Sequence, residues 1–251
     1  MNRFLRTELL IGKENLTKLA NSHIMVFGVG GVGGYVVESL VRSGVGQITI
    51  IDNDVVSLTN LNRQIIATMD KIGISKVLVM KERILSINPN CKVNTYETFV
   101  GTDNIDSFDF SGVSYIVDAV DTVTAKLAII SKAKELGISV ISAMGAGNRL
   151  DPTQIKISDI NQTKNCPLAK VMRYELKKRG ISGVKCIYSL EIPTKPKEKI
   201  VLEDSNKEVI ASISYMPSIF GLMISCEIIK DLTEKIDWFN LFYFYFFNLS
   251  Y

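Results

Sequence analysis

Histidine is almost missing: the 251 residues hold one, His23. It precedes the first apolar run, so a Ser-His-Asp or Cys-His mechanism, which would have to pass through it, is set aside. Cysteine is scarce and scattered. Cys91, Cys166, Cys186 and Cys226 form no C-x-x-C pair, which excludes a disulfide framework and a structural zinc site. The opening "MNRFLRTELLIGKENL" lacks the apolar core and small residues of a secretory signal, so a cytoplasmic protein with reduced thiols is expected. No repeat and no flexible linker interrupts the chain, and a single domain over 1–251 is expected. Neither sign of charge dominates: the net value of +3 permits a nucleic-acid partner without requiring one.

What is present is an alternation of short apolar runs and segments of helical period. "HIMVF" (23–27), "QITII" (47–51), "SYIVDAV" (114–120) and "ISVISAM" (138–144) read as buried strands. Between them, 34–44, 75–89 and 124–137 read as helices, the second stopped by Pro89, the third capped by Thr124 and stopped by Gly137. This order implies an α/β fold: a doubly wound, Rossmann-like, mostly parallel sheet with helices on both faces. After "GAGNRLDP" (145–152) the pattern changes. An exposed strand ("TQIKISDI"), a basic helix (167–180), a further strand (184–193), a charged loop (194–199) and a buried helix (214–232, starting near Pro217) extend the sheet as a C-terminal α/β part. The nucleotide-binding half is thus about 1–145 and a substrate-side extension about 146–251.

A strand, then "GVGGVGG", then a helix is a phosphate-binding turn. Gly28 permits the bend, Gly30 and Gly31 let backbone approach phosphate oxygens, and Gly33 packs the helix on the strand. Asp52, at the end of the second strand, stands where a carboxylate meets ribose hydroxyls. This marks an adenosine nucleotide without singling out NAD, and no catalytic acid for hydride transfer stands out. "IDNDVVSLTNLNRQ" then supplies Asp52, Asp54, Asn60, Arg63 and Gln64, with Lys76 twelve residues on. Beyond the carboxyl end of a strand, such groups suit a longer phosphate tail. Arg63 and Lys76 can neutralise a triphosphate and the departing pyrophosphate, and Asn60 can orient an α-phosphate oxygen. Asp121, in "VDAVDTVTAK", is placed to hold Mg²⁺ between phosphates. The plainer alternative is that Arg63 and Lys76 are solvated surface charges and Asp121 a loop carboxylate at a helix cap.

At "GVGGVG", "DNDVVSLTNLNRQ", Lys76 and "VDAVDTV" the chain resembles the E1-like adenylating enzymes of the ThiF/MoeB/HesA group. The resemblance implies ATP and Mg²⁺ as cofactors and conversion of a carboxylate into an acyl-adenylate. It implies Asp52 on the ribose, Asn60, Arg63 and Lys76 on the phosphates, and Asp121 on the metal. Arg6 in "RFLRTELLIG" matches an arginine that in this family reaches the ATP of a partner subunit, so a homodimer is implied. Many relatives that activate sulfur carriers have two C-x-x-C pairs and a catalytic cysteine, and this chain, with no C-x-x-C pair, departs from them. From "SAMGAGNRLDPTQIKISDINQTKNCPLAKVMRYELKKRGI" onward it resembles instead the subgroup of tRNA threonylcarbamoyladenosine dehydratases, over roughly residues 4–232. The implied substrate is tRNA carrying threonylcarbamoyladenosine. Its carboxylate is adenylated, the neighbouring ureido group closes a ring, and no cysteine nucleophile is required.

Several features are open on the residues themselves. Lys170, Arg173, Lys177, Lys178, Arg179, Lys185, Lys195, Lys197 and Lys199 could meet tRNA phosphates or form a solvated face. Cys186 matches a subgroup position that raises a link to a sulfur-transfer protein partner, although packing in an apolar strand is the preferred reading. The aromatic tail "DWFNLFYFYFFNLSY" (237–251) falls short of the about 20 residues a spanning helix needs; burial or a dimer contact is preferred to membrane contact. The competing functions are adenylation of a sulfur-carrier C-terminus, an NAD-dependent oxidoreductase, and a catalytically silent nucleotide-binding scaffold. Lys76 is expected to face solvent and to matter little for stability.

Overall fold

The computed structural model describes residues 2–198, 200 and 209–233. Two short helices, α1 (Leu5–Ile11) and α2 (Lys13–Ala20), lead into β1 (His23–Phe27), α3 (Gly33–Arg42), β2 (Gln47–Ile51), α4 (Lys76–Ile87) and β3 (Lys92–Tyr96). Then follow β4 (Tyr115–Asp118), α5 (Val123–Glu135), β5 (Ser139–Ala143), β6 (Ile155–Asp159), α6 (Pro167–Lys178), β7 (Lys185–Ser189) and α7 (Tyr215–Leu232). The strands form one sheet in the order β3-β2-β1-β4-β5-β7-β6. Every neighbouring pair is parallel except β7–β6. Strand order reverses between β1 and β4, so a crevice opens at their carboxyl ends.

The period of two along each strand divides the core. Ile24, Val26, Ile48 and Ile50 face α3, α4 and α7, whereas Met25, Phe27 and Ile51 face α5 and α6. Burial on both faces explains the unbroken apolar runs of β1 and β2. The fold expected from the sequence is thus the one found, with adjustments. β3 was not anticipated: it is an edge strand of sequence KVNTY with no fully buried residue. α1 and α2 were not anticipated either, and α1 has no buried residue. α5 begins after Thr122 rather than Thr124, since the Lys126 amide already donates to Thr122 O. His23 does not precede β1 but opens it, buried, with Nε2 2.7 Å from Thr49 Oγ1; burial lowers its pKa. Lys199 and the aromatic tail 237–251 lie outside the described residues.

α7 crosses α3 closely enough that a Cβ on Gly221 would lie 2.5 Å from Val32 O. Ser225 Oγ donates to Val36 O. This contact brings Pro217, in the first turn of α7 where a proline is tolerated, to within 3.2 Å of a Cβ built on Gly31.

Candidate functional site

The glycine turn leaves β1 at the strand-order reversal. Gly28 has φ +89°, and a Cβ there would sit 2.7 Å from Ala119 O, so both conformation and contact demand glycine. A Cβ on Gly33 would fall 1.8 Å from Gly28 O; the turn closes on itself as well as on β4. Gly30 differs: its nearest neighbour would be Gln64 Nε2 at 3.8 Å. It faces a cavity of about 380 Å³, within the ordinary range for small-molecule sites. Among the described residues the Gly30 and Gly31 amides donate to no protein acceptor.

Of the residues expected from the sequence, all but Gly33 and Arg6 line this cavity: Gly28, Gly30, Gly31, Asp52, Asp54, Asn60, Arg63, Gln64, Lys76 and Asp121. Gly33 acts beneath it, in the turn. Arg6 is exposed on α1 and is not brought to the cavity within this chain. Asp52 accepts the Val29 amide on Oδ2 at 2.6 Å and the Asp54 amide on Oδ1 at 2.9 Å, tying the glycine turn to the loop after β2. Asn60 is buried. Its Oδ1 accepts the Ser57 amide, while its NH₂ group donates to no described residue. Arg63 Nη1 donates to Thr59 O and Asn62 Oδ1, which leaves its other N–H groups unspent. Asp121 is exposed and has no side-chain partner among the described residues.

Lys76 corrects the sequence reading. It is not solvent-facing but 4% exposed, and its Nζ donates to Asp54 Oδ2 at 2.7 Å. The bridge between Val55 and Ser75 folds the loop after β2 back over the start of α4 and encloses the side chain. A second group was missed altogether. Lys126 and Asp118 form a fully buried ion pair: Nζ lies 3.1 Å from Oδ2 and 2.6 Å from Ala143 O, and Ser142 Oγ donates to the same carboxylate. Asp118 Oδ1 also accepts the Val120 amide, and so fixes the turn that carries Asp121. A lysine inside the apolar run of "TAKLAII" was the available signal.

The remaining candidates separate clearly. Cys186 is fully buried, and burial pushes its thiol up to about 12; it is a packed residue. In the basic segments, Arg173 donates to Thr163, Lys178 and Arg179 pair with Glu175, and Lys185 pairs with Glu227 and Asp231. Lys170, Lys177, Lys195 and Lys197 are exposed and have no described partner.

A floor of free amides, two cations, an amide NH₂ and a free carboxylate around one cavity can bind a polyphosphate and neutralise charge that develops on it. The comparisons agree with this chemistry. The tRNA threonylcarbamoyladenosine dehydratase of Bacillus subtilis is 40% identical over 246 residues, covering 94% of this chain and 97% of that protein. The crystal structure of Escherichia coli tRNA N6-threonylcarbamoyladenosine dehydratase in complex with ATP superposes with a TM-score of 0.83 at 36% identity, covering 92% of this chain and 93% of that one. The same enzyme in complex with AMP gives 0.83 at 37%. The ThiF family matches residues 2–250, which takes in the glycine turn, the loop after β2 and the Asp121 turn together, and the chain belongs to that family.

Proposed function

We propose that this chain is an ATP-dependent dehydratase acting on threonylcarbamoyladenosine in tRNA. One observation carries the reading. A chain similar over nearly its full length to dehydratases of that name leaves the Gly30 and Gly31 amides unspent at the floor of a 380 Å³ cavity. ATP lies with its phosphates over those amides, and Asp52, although both oxygens already accept backbone amides, keeps lone pairs for the ribose. Asn60 donates to an α-phosphate oxygen. Arg63 and Lys76 offset the charge that grows on the pyrophosphate. The free carboxylate of Asp121 suits a hard cation; Mg²⁺ held there would supply positive charge to offset that of the phosphates.

The substrate carboxylate attacks the α-phosphorus and pyrophosphate leaves. The ureido nitrogen then attacks the activated carbonyl, loses its proton, closes a ring, and AMP departs. The nucleophile of the second step belongs to the substrate, which accords with a Cys186 too buried to accept sulfur. The reading includes one adenylating domain whose nucleotide half and substrate-side extension share the sheet. It also includes a homodimer in which Arg6 of each chain reaches the partner's ATP. Among the described residues no helix is long and apolar enough to cross a membrane.

The test is mass spectrometry of tRNA nucleosides after incubation with ATP, Mg²⁺ and threonylcarbamoyl-modified tRNA. The expected result is loss of one water from the modified adenosine, with AMP and pyrophosphate formed. An unchanged nucleoside beside an active control enzyme would sink the reading and turn attention to ATP–pyrophosphate exchange on sulfur-carrier C-termini.

A further inference from the structure

Three buried side-chain atoms among the described residues lack a hydrogen-bond partner: Gln64 Oε1, Thr122 Oγ1 and Arg149 Nη1. Buried polar atoms are so seldom left unpaired that each exception calls for a reason. Gln64 and Thr122 line the large cavity, where a ligand is already expected. Arg149 lines a second, smaller one of about 150 Å³ instead. The two cavities adjoin: Ser212 stands in both walls, and consecutive residues after β5 serve first one (Ala146, Gly147) and then the other (Asn148, Arg149).

Arg149 is 3% exposed. Its Nε and Nη2 donate to Gly145 O and Asn165 O, both neutral carbonyls, and no described carboxylate pairs with it. A buried guanidinium without a counter-ion is costly, and its planar fork is shaped for a carboxylate. The surrounding loop is tied down by hydrogen bonds. Asn148, at φ +58°, exchanges hydrogen bonds with Ala211, and the Glu191 carboxylate accepts the Leu150 and Asp151 amides. The walls are mostly apolar, with Leu150, Pro196 and Ile213 among them, and the hydroxyl-bearing Thr194 and Ser212 also line the cavity. The volume is well below the about 300 Å³ where sites for drug-sized ligands begin. Lys195 and Lys197 flank Pro196 of the wall in sequence, and Lys164 precedes Asn165, whose carbonyl accepts from Arg149; all three are exposed and without described partners.

We propose that this second cavity receives the threonyl end of the modified adenosine, with its carboxylate paired to Arg149, while these lysines meet tRNA phosphates. This rests on the dehydratase reading above. A short branched carboxylate matches the size and the mostly alkyl lining of the cavity, and the unpartnered Nη1 of Arg149 supplies the charge for its carboxylate. The shared wall at Ser212 puts that carboxylate beside the cavity assigned to ATP. Arg149 is then a substrate-binding residue, and it separates modified from unmodified tRNA.

The experiment compares wild type, Arg149→Met, Arg149→Lys and Thr194→Trp. It measures the KM for modified tRNA, the KM for ATP, and the Kd for modified against unmodified tRNA. Arg149→Met should raise the KM for modified tRNA by about tenfold to a hundredfold, the usual worth of a charged hydrogen bond, and abolish the preference for modified tRNA. The KM for ATP should stay within about twofold, and Arg149→Lys should recover part of the loss. Thr194→Trp, at an exposed position of the same wall, crowds the cavity while leaving Arg149 itself unchanged and should reproduce the effect even where Arg149→Met does not fold. Undiminished preference for modified tRNA in a folded Arg149→Met, or in Thr194→Trp, overturns the proposal. If wild type itself does not dehydrate the modified nucleoside, the fault lies with the dehydratase reading instead.

Discussion

Replacing Lys76 with methionine tests whether an enclosed lysine serves the reaction or only the fold. The unbranched side chain is kept to within one atom of its length and its charge is removed. Breaking a fully buried ion pair costs about 3–5 kcal/mol, and breaking an exposed one about 0–1 kcal/mol. This pair is between the two: the Lys76 side chain is 6% exposed but that of Asp54 is 57% exposed, so the abandoned carboxylate rehydrates. A loss of about 1–2 kcal/mol follows, or about 2–8 °C in Tm for a chain of this size. A cation that neutralises developing phosphate charge is worth more in rate, about 10²–10³-fold. Thermal unfolding and single-turnover pyrophosphate release, measured on Lys76→Met and on Asp54→Asn, separate the roles. The expected outcome is a similar, modest Tm shift in both and a much larger rate loss in Lys76→Met. Equal rate losses in the two variants would assign Lys76 to the ion pair alone and refute its place on the phosphates.

Gly30→Val should fold with a Tm close to wild type and fail to bind ATP in calorimetry, because the new Cβ meets nothing nearer than 3.8 Å and fills the cavity instead; retained affinity would count against the glycine turn as the phosphate floor. Gly33→Ala should instead unfold the turn, since its Cβ would lie 1.8 Å from Gly28 O, and soluble, stable protein would contradict that geometry. Thiol titration at pH 8 should label Cys226, which is exposed, and spare Cys186, whose thiolate forms only near pH 12 because burial raises its pKa; rapid native labelling of Cys186 would reopen a sulfur-transfer role. Lys126→Met should cost about 3–5 kcal/mol in chemical denaturation by stranding buried Asp118, and adding Asp118→Asn should recover part of it; no recovery would mean that the pair is not the unit that holds the turn.

The parts of the fold legible in the sequence are those where burial alone selects residues. β1, β2, β4 and β5 are covered on both faces, so each is an apolar run. β3 escaped because an edge strand needs no such run, and α1 escaped because it buries nothing in this chain: Leu9 is 78% exposed and Leu10 61%. The site was legible wherever one residue type has one use, as with Gly28 and Gly33 in a turn that admits no Cβ. Lys76 was misread because its burial comes from a loop folding back across the start of a helix, which leaves no periodic trace. Lys126 and Asp118 were passed over for a related reason: they meet only when β4, α5 and β5 are assembled.

The polar groups near the cavities fall into two kinds. Asp52, Asp118, Asn148 and Glu191 use their oxygens on backbone amides, and each fixes a loop: the glycine turn, the Asp121 turn, the 209–213 segment and the loop at Leu150. Gln64 Oε1, Thr122 Oγ1 and Arg149 Nη1, with the Gly30 and Gly31 amides, have no partner and gather at the cavity walls. Binding energy is best used on groups that need no rearrangement at the moment of reaction. The first kind makes that possible for the second, because a loop already held by side-chain oxygens does not have to be ordered by the ligand. A substitution of Asp118, Asn148 or Glu191 should therefore lower affinity for ligands it never touches, whereas one at Gln64 or Gly30 should leave the empty protein about as stable as before.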